Sequence, residues 1–199
     1  MPPRKNPYAK PDHFTRAAKK EGFPARSVFK LEEIDRRVRL LRGRMRVLDL
    51  GAAPGSWAMY AAGRVGPEGR VLAVDLAPLR TTLPANAVFL EGDALALTNE
   101  ALGQFAPYDV VLSDMAPQTT GSRVTDQARS FELFMRALAV AGSLGAPGSS
   151  FVGKIFMSDD LPVARAELRR LYASERLIRP ESTRAGSMEI FFVASAKRP

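Results

Sequence analysis

Cysteine is missing from this sequence and histidine occurs once, so the residues that most often bind transition metals are nearly absent. Without thiols the chain can form neither a disulfide nor a thiolate metal site. The one histidine, His13, lies in a polar and basic segment, where we expect an exposed side chain without a metal role. The sequence therefore predicts no metal site.

Long hydrophobic runs are missing as well. The most apolar stretch, 138–152, is interrupted by three glycines and one proline, which argues against a transmembrane helix. The first residues, MPPRKNPYAKPDHF, lack the apolar block of a secretory signal. We therefore expect a cytoplasmic protein that does not associate with membranes.

Basic residues greatly outnumber acidic ones in the first quarter of the chain. Residues 1–46 contain 14 Lys and Arg against 5 Asp and Glu, whereas the whole chain has a net charge of +8. A tail that only keeps the protein soluble would give a similar count. Because the excess continues into a segment with a helical pattern, we favour a surface that binds a polyanion.

Five prolines fall among residues 1–25, which predicts an extended basic arm ahead of a single folded domain at 26–199. The domain begins with VFKLEEIDRRVRLL, whose apolar residues have helical spacing. Ser27 is a plausible N-cap of this helix, and Gly43 follows where the helix should end.

Short apolar runs alternate with helical patterns over the rest of the chain. We predict strands in RVLDLG, RVLAVDL, AVFLEGD, YDVVLSD and SSFVGKIF, and helices in SWAMYAAGRV, TDQARSFELFMRALAVAGSL and DDLPVARAELRRLYA. The last two runs, ERLIRP and MEIFFVAS, have no helix between them and predict an antiparallel hairpin. The expected fold is α/β, with a mostly parallel seven-stranded sheet covered on both faces and an antiparallel edge hairpin.

The segment VLDLGAAPGSW places a bent loop directly after the first predicted strand. Gly51 and Gly55 allow the backbone to approach a ligand here, and ligands of such folds bind beyond the carboxyl ends of the strands. A dinucleotide is a poor fit, because Ala53 replaces the middle glycine of its fingerprint and Pro54 has no amide hydrogen for a pyrophosphate. Asp75 ends the next strand, where an acid commonly binds ribose hydroxyls. S-adenosylmethionine, a nucleoside without phosphates, suits these residues better.

Acidic residues end or follow four of the predicted strands: Asp49, Asp75, Asp93 and Asp114. They suit a cofactor that carries a sulfonium cation. Taken singly, such residues could cap helices and the glycines could make an ordinary tight turn. Their repetition at successive strand ends favours a cofactor site.

One lysine, Lys154, lies inside the apolar strand FVGKIF, where an ammonium is costly to bury unless it is paired or functional. Lys30, in the basic helix, and Glu189, at the start of the last strand, are each typical of a surface residue when taken alone.

Together, the segments ARSVFKLEEID, VLDLGAAPGSW, SDMAPQTTG, FVGKIF and STRAGSMEIFFVA resemble the FtsJ-type ribosomal RNA 2′-O-methyltransferases, the bacterial RlmE enzymes, over nearly the whole chain. The resemblance implies a Rossmann-like class I methyltransferase with S-adenosylmethionine as cofactor. The implied catalytic tetrad is Lys30, Asp114, Lys154 and Glu189. The implied cofactor residues are Gly55, Trp57, Asp75, Asp93 and Asp114, beside Gly51 of the loop. The family usually has glycine where this sequence has Ser56, so we expect altered loop detail with cofactor binding retained.

The resemblance also implies the reaction: methyl transfer to the ribose 2′-hydroxyl of a uridine in large-subunit ribosomal RNA, within the assembled subunit, by a monomer. Lys154 is the candidate general base, and the sequence leaves open whether it acts as a neutral base or as a cation that stabilises the developing oxyanion. Two alternatives stay open: a 2′-O-methyltransferase of another RNA, such as transfer RNA or a cap, and a non-catalytic RNA-binding factor in ribosome assembly.

Basic residues of the first quarter are expected to contact RNA phosphates, with two aromatic residues available for stacking on bases. The basic residues are Lys5, Lys10, Arg16, Lys19, Lys20 and Arg26, and the aromatic ones are Tyr8 and Phe14.

Overall fold

The computed structural model describes residues 12–199, which form one seven-stranded sheet with helices on both faces. The strands are β1 Arg46–Leu50, β2 Arg70–Asp75, β3 Ala87–Glu91, β4 Tyr108–Ser113, β5 Gly145–Phe156, β6 Tyr172–Ile178 and β7 Glu189–Lys197. The helices are α1 His13–Lys20, α2 Val28–Val38, α3 Ser56–Val65, α4 Asn99–Leu102, α5 Arg123–Leu144 and α6 Leu161–Leu171.

The strand order across the sheet is β3-β2-β1-β4-β5-β7-β6. The first five strands are parallel, and β7 is antiparallel to both β5 and β6. The predicted α/β fold, with its mostly parallel sheet and antiparallel edge hairpin, is therefore confirmed. The order reverses between β1 and β4, so a crevice opens beyond their carboxyl ends, which is where ligands bind in this class of sheet.

Both faces of the sheet are buried, because helices cover each of them. Val47 packs into the layer formed with α2 and α3, and its neighbour Leu48 packs into the opposite layer with α5 and α6. Successive side chains of a strand point to opposite faces, so a strand buried on both faces must be apolar throughout. This explains why the predicted strands are continuous hydrophobic runs.

Gly153 lets two aromatic rings lie close to strand β5. A Cβ atom added at this position would stand 2.5 Å from Cζ of Phe151 and 2.8 Å from Cε2 of Phe134. The glycine therefore provides room for the edge-to-face packing of these rings, whose centroids are 5.6 Å apart. The packing holds β5 against α5, and β5 carries Lys154 on its other face.

The prediction of an extended arm is wrong for its second half. Residues 13–20 form α1, whose first turn is capped by Asp12 accepting a 2.8 Å hydrogen bond from the amide of Thr15. No proline occurs between Pro11 and Pro24, and this stretch includes an N-cap and several good helix formers. Lys5, Tyr8 and Lys10, predicted to contact RNA, lie outside the described residues.

Helix α2 begins as predicted but ends earlier. Ser27 makes no side-chain cap, because its backbone already has helical angles (φ −58°, ψ −22°). The helix ends at Val38, before Gly43, since Arg39 adopts a left-handed conformation with φ 54°. Asp35 fixes this turn: its carbonyl accepts the amide of Arg39, and its carboxylate accepts the amide of Leu41 at 2.8 Å.

Residues 12–199 bear on the expectations about membranes and metals. No helix among them is both long and apolar enough to cross a bilayer. Nor do they contain a group of three or more His, Asp or Glu residues placed to hold a metal ion. His13 is exposed, as expected.

Candidate active site

The loop after β1 turns sharply at Gly51, which has φ +79°. A Cβ atom there would lie 2.7 Å from the backbone nitrogen of Met115, so the loops that follow β1 and β4 touch at this point. The amides of Gly51 and Ala52 both donate to the carbonyl of Val74, at 2.9 and 3.0 Å. The glycine loop is thus hydrogen-bonded to β2 and packed against the loop after β4, which makes it suitable for a rigid ligand site.

Asp75, at the end of β2, holds the tip of the glycine loop. One carboxylate oxygen accepts the amide of Ala53 at 2.9 Å, and the other accepts the amide of Ala77 at 2.8 Å. A carboxylate has about four acceptor positions, so each oxygen can still accept a hydroxyl. Asp75 can therefore shape the loop and bind a ribose at the same time.

A cavity of about 440 Å³ opens beyond the carboxyl ends of β1, β2 and β4. Three predicted cofactor residues line it: Gly51, Asp75 and Asp93. Residues that the sequence analysis missed also line it, among them Met115, Arg129 and Glu132. Arg129 and Glu132 are three residues apart on α5, so one helical face brings them to the cavity.

Three other predicted cofactor residues do not line this cavity. Gly55 forms the N-cap of α3, and Asp114 lies one residue before Met115. The ring of Trp57 is buried: its indole nitrogen donates to the carbonyl of Ser27 at 2.8 Å, and its centroid is 5.8 Å from that of Phe191. The indole therefore packs inside the protein, and a cofactor role for these residues stays a prediction.

Asp49 is fully buried near the glycine loop, and neither of its carboxylate oxygens has a hydrogen-bond partner in the described part of the chain. Burial raises the pKa of Asp49 well above its usual value, and the nearby carboxylates of Asp114 and Asp75 raise it further. This side chain is therefore held in an environment that favours its neutral form.

Lys154 and Asp114 form an ion pair at the end of the sheet. The Lys154 ammonium lies 3.0 Å from Oδ1 of Asp114 and also donates to the Asp114 carbonyl oxygen at 2.6 Å. The lysine side chain is only 6% exposed, so this pair is largely shielded from water. The buried, paired lysine predicted from the strand FVGKIF is confirmed, with Asp114 as its partner.

Lys30 and Glu189 form a second ion pair, with 2.6 Å between Nζ and Oε1. The register of β5 and β7 places Lys154 opposite Phe191 and Phe156 opposite Glu189, so Lys154 and Glu189 share one face of the sheet. The Lys30 ammonium also lies 5.8 Å from the centre of the Phe191 ring. Side chains 159 residues apart in sequence thus meet around one strand pair.

A second cavity, of about 640 Å³, is lined by Lys30 and Glu189. Other residues around it are Arg26, Thr119, Phe156, Ser182, Arg184 and Met188. The loop after β4 joins the two cavities, because residues 115–118 line the first and Thr119 lines the second. The Lys154–Asp114 pair lies at the start of this loop.

Ser56 stands where the sequence analysis expected altered loop detail. Its hydroxyl accepts the amide of Ala25 at 2.9 Å and donates to the carbonyl of the same residue at 3.1 Å. The side chain is buried, so both hydrogen bonds are protected from water. The serine therefore ties the start of α3 to the segment that leads into α2 and Lys30.

Some of the residues predicted to contact RNA are exposed, whereas others already make contacts within the protein. Arg16, Lys19 and Lys20 are exposed. Arg26 instead forms an ion pair with Asp12, donates to the carbonyl of Ser182, and lies 5.2 Å from the centre of the Phe14 ring. Phe14 also packs on Phe29 at 5.7 Å, so its ring is engaged within the protein.

Comparison with known protein families gives a match over residues 23–197, to the FtsJ-like methyltransferases. The chain belongs to this family. The FtsJ-like chain is 66% identical over 194 residues to the Ribosomal RNA large subunit methyltransferase E of Sorangium cellulosum, a match that covers 98% of this chain and 92% of the relative. The resemblance stated from the sequence motifs is therefore confirmed.

Solved structures support the Rossmann-like methyltransferase fold of this FtsJ-like protein. A candidate ribosomal RNA methyltransferase from Plasmodium falciparum superposes with a TM-score of 0.76 at 20% identity, covering 88% of this chain and 98% of that one. Aeropyrum pernix fibrillarin, solved with bound S-adenosyl-L-methionine, superposes with a TM-score of 0.57 at 17% identity, covering 78% of this chain and 68% of that one. At these identities the likeness establishes the fold alone.

Proposed function

We propose that this FtsJ-like methyltransferase transfers a methyl group from S-adenosylmethionine to the ribose 2′-hydroxyl of a uridine in large-subunit ribosomal RNA. The observation that carries the proposal is the pairing of Lys154 with Asp114 and of Lys30 with Glu189, beside a loop that lines two cavities. The name shared by the curated relatives, Ribosomal RNA large subunit methyltransferase E, supports the choice of RNA.

The first cavity suits S-adenosylmethionine by its volume and by its acids. Asp75 has acceptor positions left for ribose hydroxyls, and Asp93 lies beside it on the same cavity wall. Pro54 offers no amide hydrogen to a pyrophosphate, whereas Glu132 and the other acids favour a cationic ligand. When bound, S-adenosylmethionine supplies a methyl group that its sulfonium has already activated.

The protein's own task is to position the 2′-hydroxyl and to receive its proton. We assign proton acceptance to the Lys154 amine, which requires that amine to be neutral when it acts. Lys30, held by Glu189 at the rim of the second cavity, would orient the ribose and offset negative charge that develops on its oxygen. Positioning of this kind can supply several kcal/mol of the barrier.

The deciding experiment uses the full chain, labelled S-adenosylmethionine and undermethylated large ribosomal subunits, followed by identification of the labelled nucleoside. We expect label on a single uridine ribose. Label on a base would contradict the assigned reaction, and transfer only to transfer RNA or capped RNA, offered in place of the subunits, would redirect the substrate. Binding of subunits without any transfer would favour a ribosome-assembly factor.

A further inference from the structure

A third cavity, of about 580 Å³, lies at the opposite end of the sheet from the candidate active site. It is formed where β4 and β5 begin, beside the end of α2 and the edge hairpin. Four of its lining residues are arginines, Arg37, Arg39, Arg42 and Arg176, and its one acid is Asp109.

Most of this positive charge has no counter-charge in the described part of the chain. Arg37 is paired with Glu33 at 2.5 Å. Asp109 accepts the amide of Arg46 at 2.7 Å and is also paired with the Arg46 guanidinium at 3.8 Å. The other three arginines are exposed and form no ion pair or side-chain hydrogen bond among residues 12–199. Three guanidinium groups therefore surround one cavity without an anion to balance them, which is the electrostatic footprint of an anion site.

Two of these three arginines lie on a well-supported turn, and Arg176 lies on β6. Arg39 and Arg42 follow α2, where Asp35 binds the amides of Arg39 and Leu41. The buried Asp35 carboxylate also accepts the Tyr60 hydroxyl and the Arg64 guanidinium, each at 2.9 Å. The turn is thereby fixed to α3, so the charges are displayed by a pre-organised element.

The cavity is separate from the methyl-transfer site. Strand β4 begins at its edge, near Asp109, and leads to Asp114 five residues later. At about 3.3 Å per residue, the two ends are about 17 Å apart. A ligand in this cavity cannot be the ribose that receives the methyl group.

We infer that this cavity binds backbone phosphates of a second segment of ribosomal RNA, an inference that rests on the proposed function. Serine hydroxyls, including those of Ser150 and Ser174, line the cavity beside the arginines. Guanidinium forks and hydroxyls are the side-chain groups that most often bind phosphate oxygens. An acidic protein segment is the weaker fit, because the lining contains none of the aromatic residues that anchor protein interfaces.

Two contacts at opposite ends of the sheet favour a folded RNA that offers both segments together. Binding at one site then raises the effective concentration at the other, so an assembled subunit gains affinity that a short fragment lacks. The inference therefore adds to the proposed function a physical reason why the protein would bind the assembled subunit more tightly than a short RNA fragment.

The test compares the full chain with the double variant Arg42→Ala/Arg176→Ala, and with Arg169→Ala/Arg170→Ala as the matched control. The control arginines are exposed on α6 and are already paired with Glu175 and Glu167. We expect the test variant to raise the Kd for large subunits about 10-fold at 0.1 M salt, because charge-assisted hydrogen bonds are lost. The slope of log K against log salt should fall by about 1.5 to 2, since about two phosphate contacts disappear.

A Kd and a salt slope equal to those of the control variant would overturn the inference. A raised Kd for the intact subunit with the salt slope of the control variant would assign the cavity to a contact other than phosphate, such as a ribosomal protein, and overturn it as well. The turnover number and the Kd for S-adenosylmethionine should stay within about twofold of wild type. Because Kd is measured without turnover, a failure of the proposed methyl transfer would be seen separately, as an inactive wild-type chain.

Discussion

At the scale of single residues, Lys154 is the side chain on which the proposed chemistry depends. Replacing it with alanine removes the proposed proton acceptor, and Lys154 does not line the cavity that suits the cofactor. We expect kcat on large subunits to fall about 10²- to 10⁴-fold, the usual contribution of a general base. Calorimetric titration should give a Kd for S-adenosylmethionine within about threefold of wild type.

Lys154→Arg distinguishes a base from a permanent cation. Arginine keeps the positive charge but cannot give up its proton in a protein. A variant as inactive as Lys154→Ala agrees with the base role. Retention of most of the turnover would instead make residue 154 a cation that stabilises the oxyanion.

Asp49 gives a prediction about stability and pH. Its folded-state pKa is raised, so the folded chain keeps a proton that the unfolded chain releases as the pH rises above about 4. The free energy of unfolding should therefore fall as the pH rises from about 4 towards the folded-state pKa, and the penalty should persist above it. Asp49→Asn, which stays neutral, should lose less stability between pH 4 and pH 7 in urea unfolding without cofactor.

The matched control for this measurement is Asp159→Asn, because Asp159 is exposed. It should follow the wild-type pH dependence. If Asp49→Asn also follows the wild-type curve, the buried carboxyl at residue 49 does not titrate as its environment implies.

At the scale of elements, Ser56 joins α3 to the segment before α2. Ser56→Gly removes both hydrogen bonds to Ala25 and adds backbone freedom. We expect the free energy of unfolding to fall by about 1–3 kcal/mol, which corresponds to a Tm lower by about 2–12 °C for a chain of this size. Thermal unfolding measures the effect, and Ser56→Ala separates the lost hydrogen bonds from the added freedom. An unchanged Tm in both variants would mean that this link contributes nothing.

The strands and the longer helices could be predicted from the sequence because hydrophobic periodicity determines them. Strand β1 and helix α3 were predicted within a residue, since each is bounded by a change of pattern or a glycine. Helix α1 was missed because the prolines before it suggested an extended chain, and the end of α2 was misplaced because Arg39 takes a left-handed conformation without being glycine.

The candidate site was predicted in part, for a different physical reason. The pairing of Lys154 could be predicted because a lysine in an apolar strand needs a partner, and Asp114 is that partner. The cavity wall formed by Arg129 and Glu132 could not be predicted, because an exposed helix turn has the same polar sequence pattern whether or not a cavity lies beside it. The basic cavity at the other end of the sheet depends on strand order, which places residues of α2, β5 and β6 together.

At the scale of the whole molecule, the excess positive charge is distributed over separate surfaces. The exposed lysines that end α1, Lys19 and Lys20, form one of them. Lys19→Ala/Lys20→Ala should weaken binding to large subunits and lower the salt slope by about 1 to 2, because each lysine that neutralises a phosphate releases counterions. Filter binding over a range of salt measures both quantities.

Arg169→Ala/Arg170→Ala again serves as the control, since it removes the same charge from a different helix. Equal salt slopes for the two variants would mean that only net charge matters, and that α1 is no specific contact. At each salt concentration, the Kd for S-adenosylmethionine should be the same in both variants as in the wild type.

The position of β7 has a consequence for how the protein matures. This strand follows β6 along the chain, yet it lies between β5 and β6 in the sheet and carries Glu189. Until it is synthesised, β6 has no partner strand and β5 is an open sheet edge, the kind of surface that pairs with other chains and aggregates. The nascent chain therefore exposes an aggregation-prone sheet edge until β7 has been synthesised, and the ion pair of Lys30 with Glu189 can form only after that point.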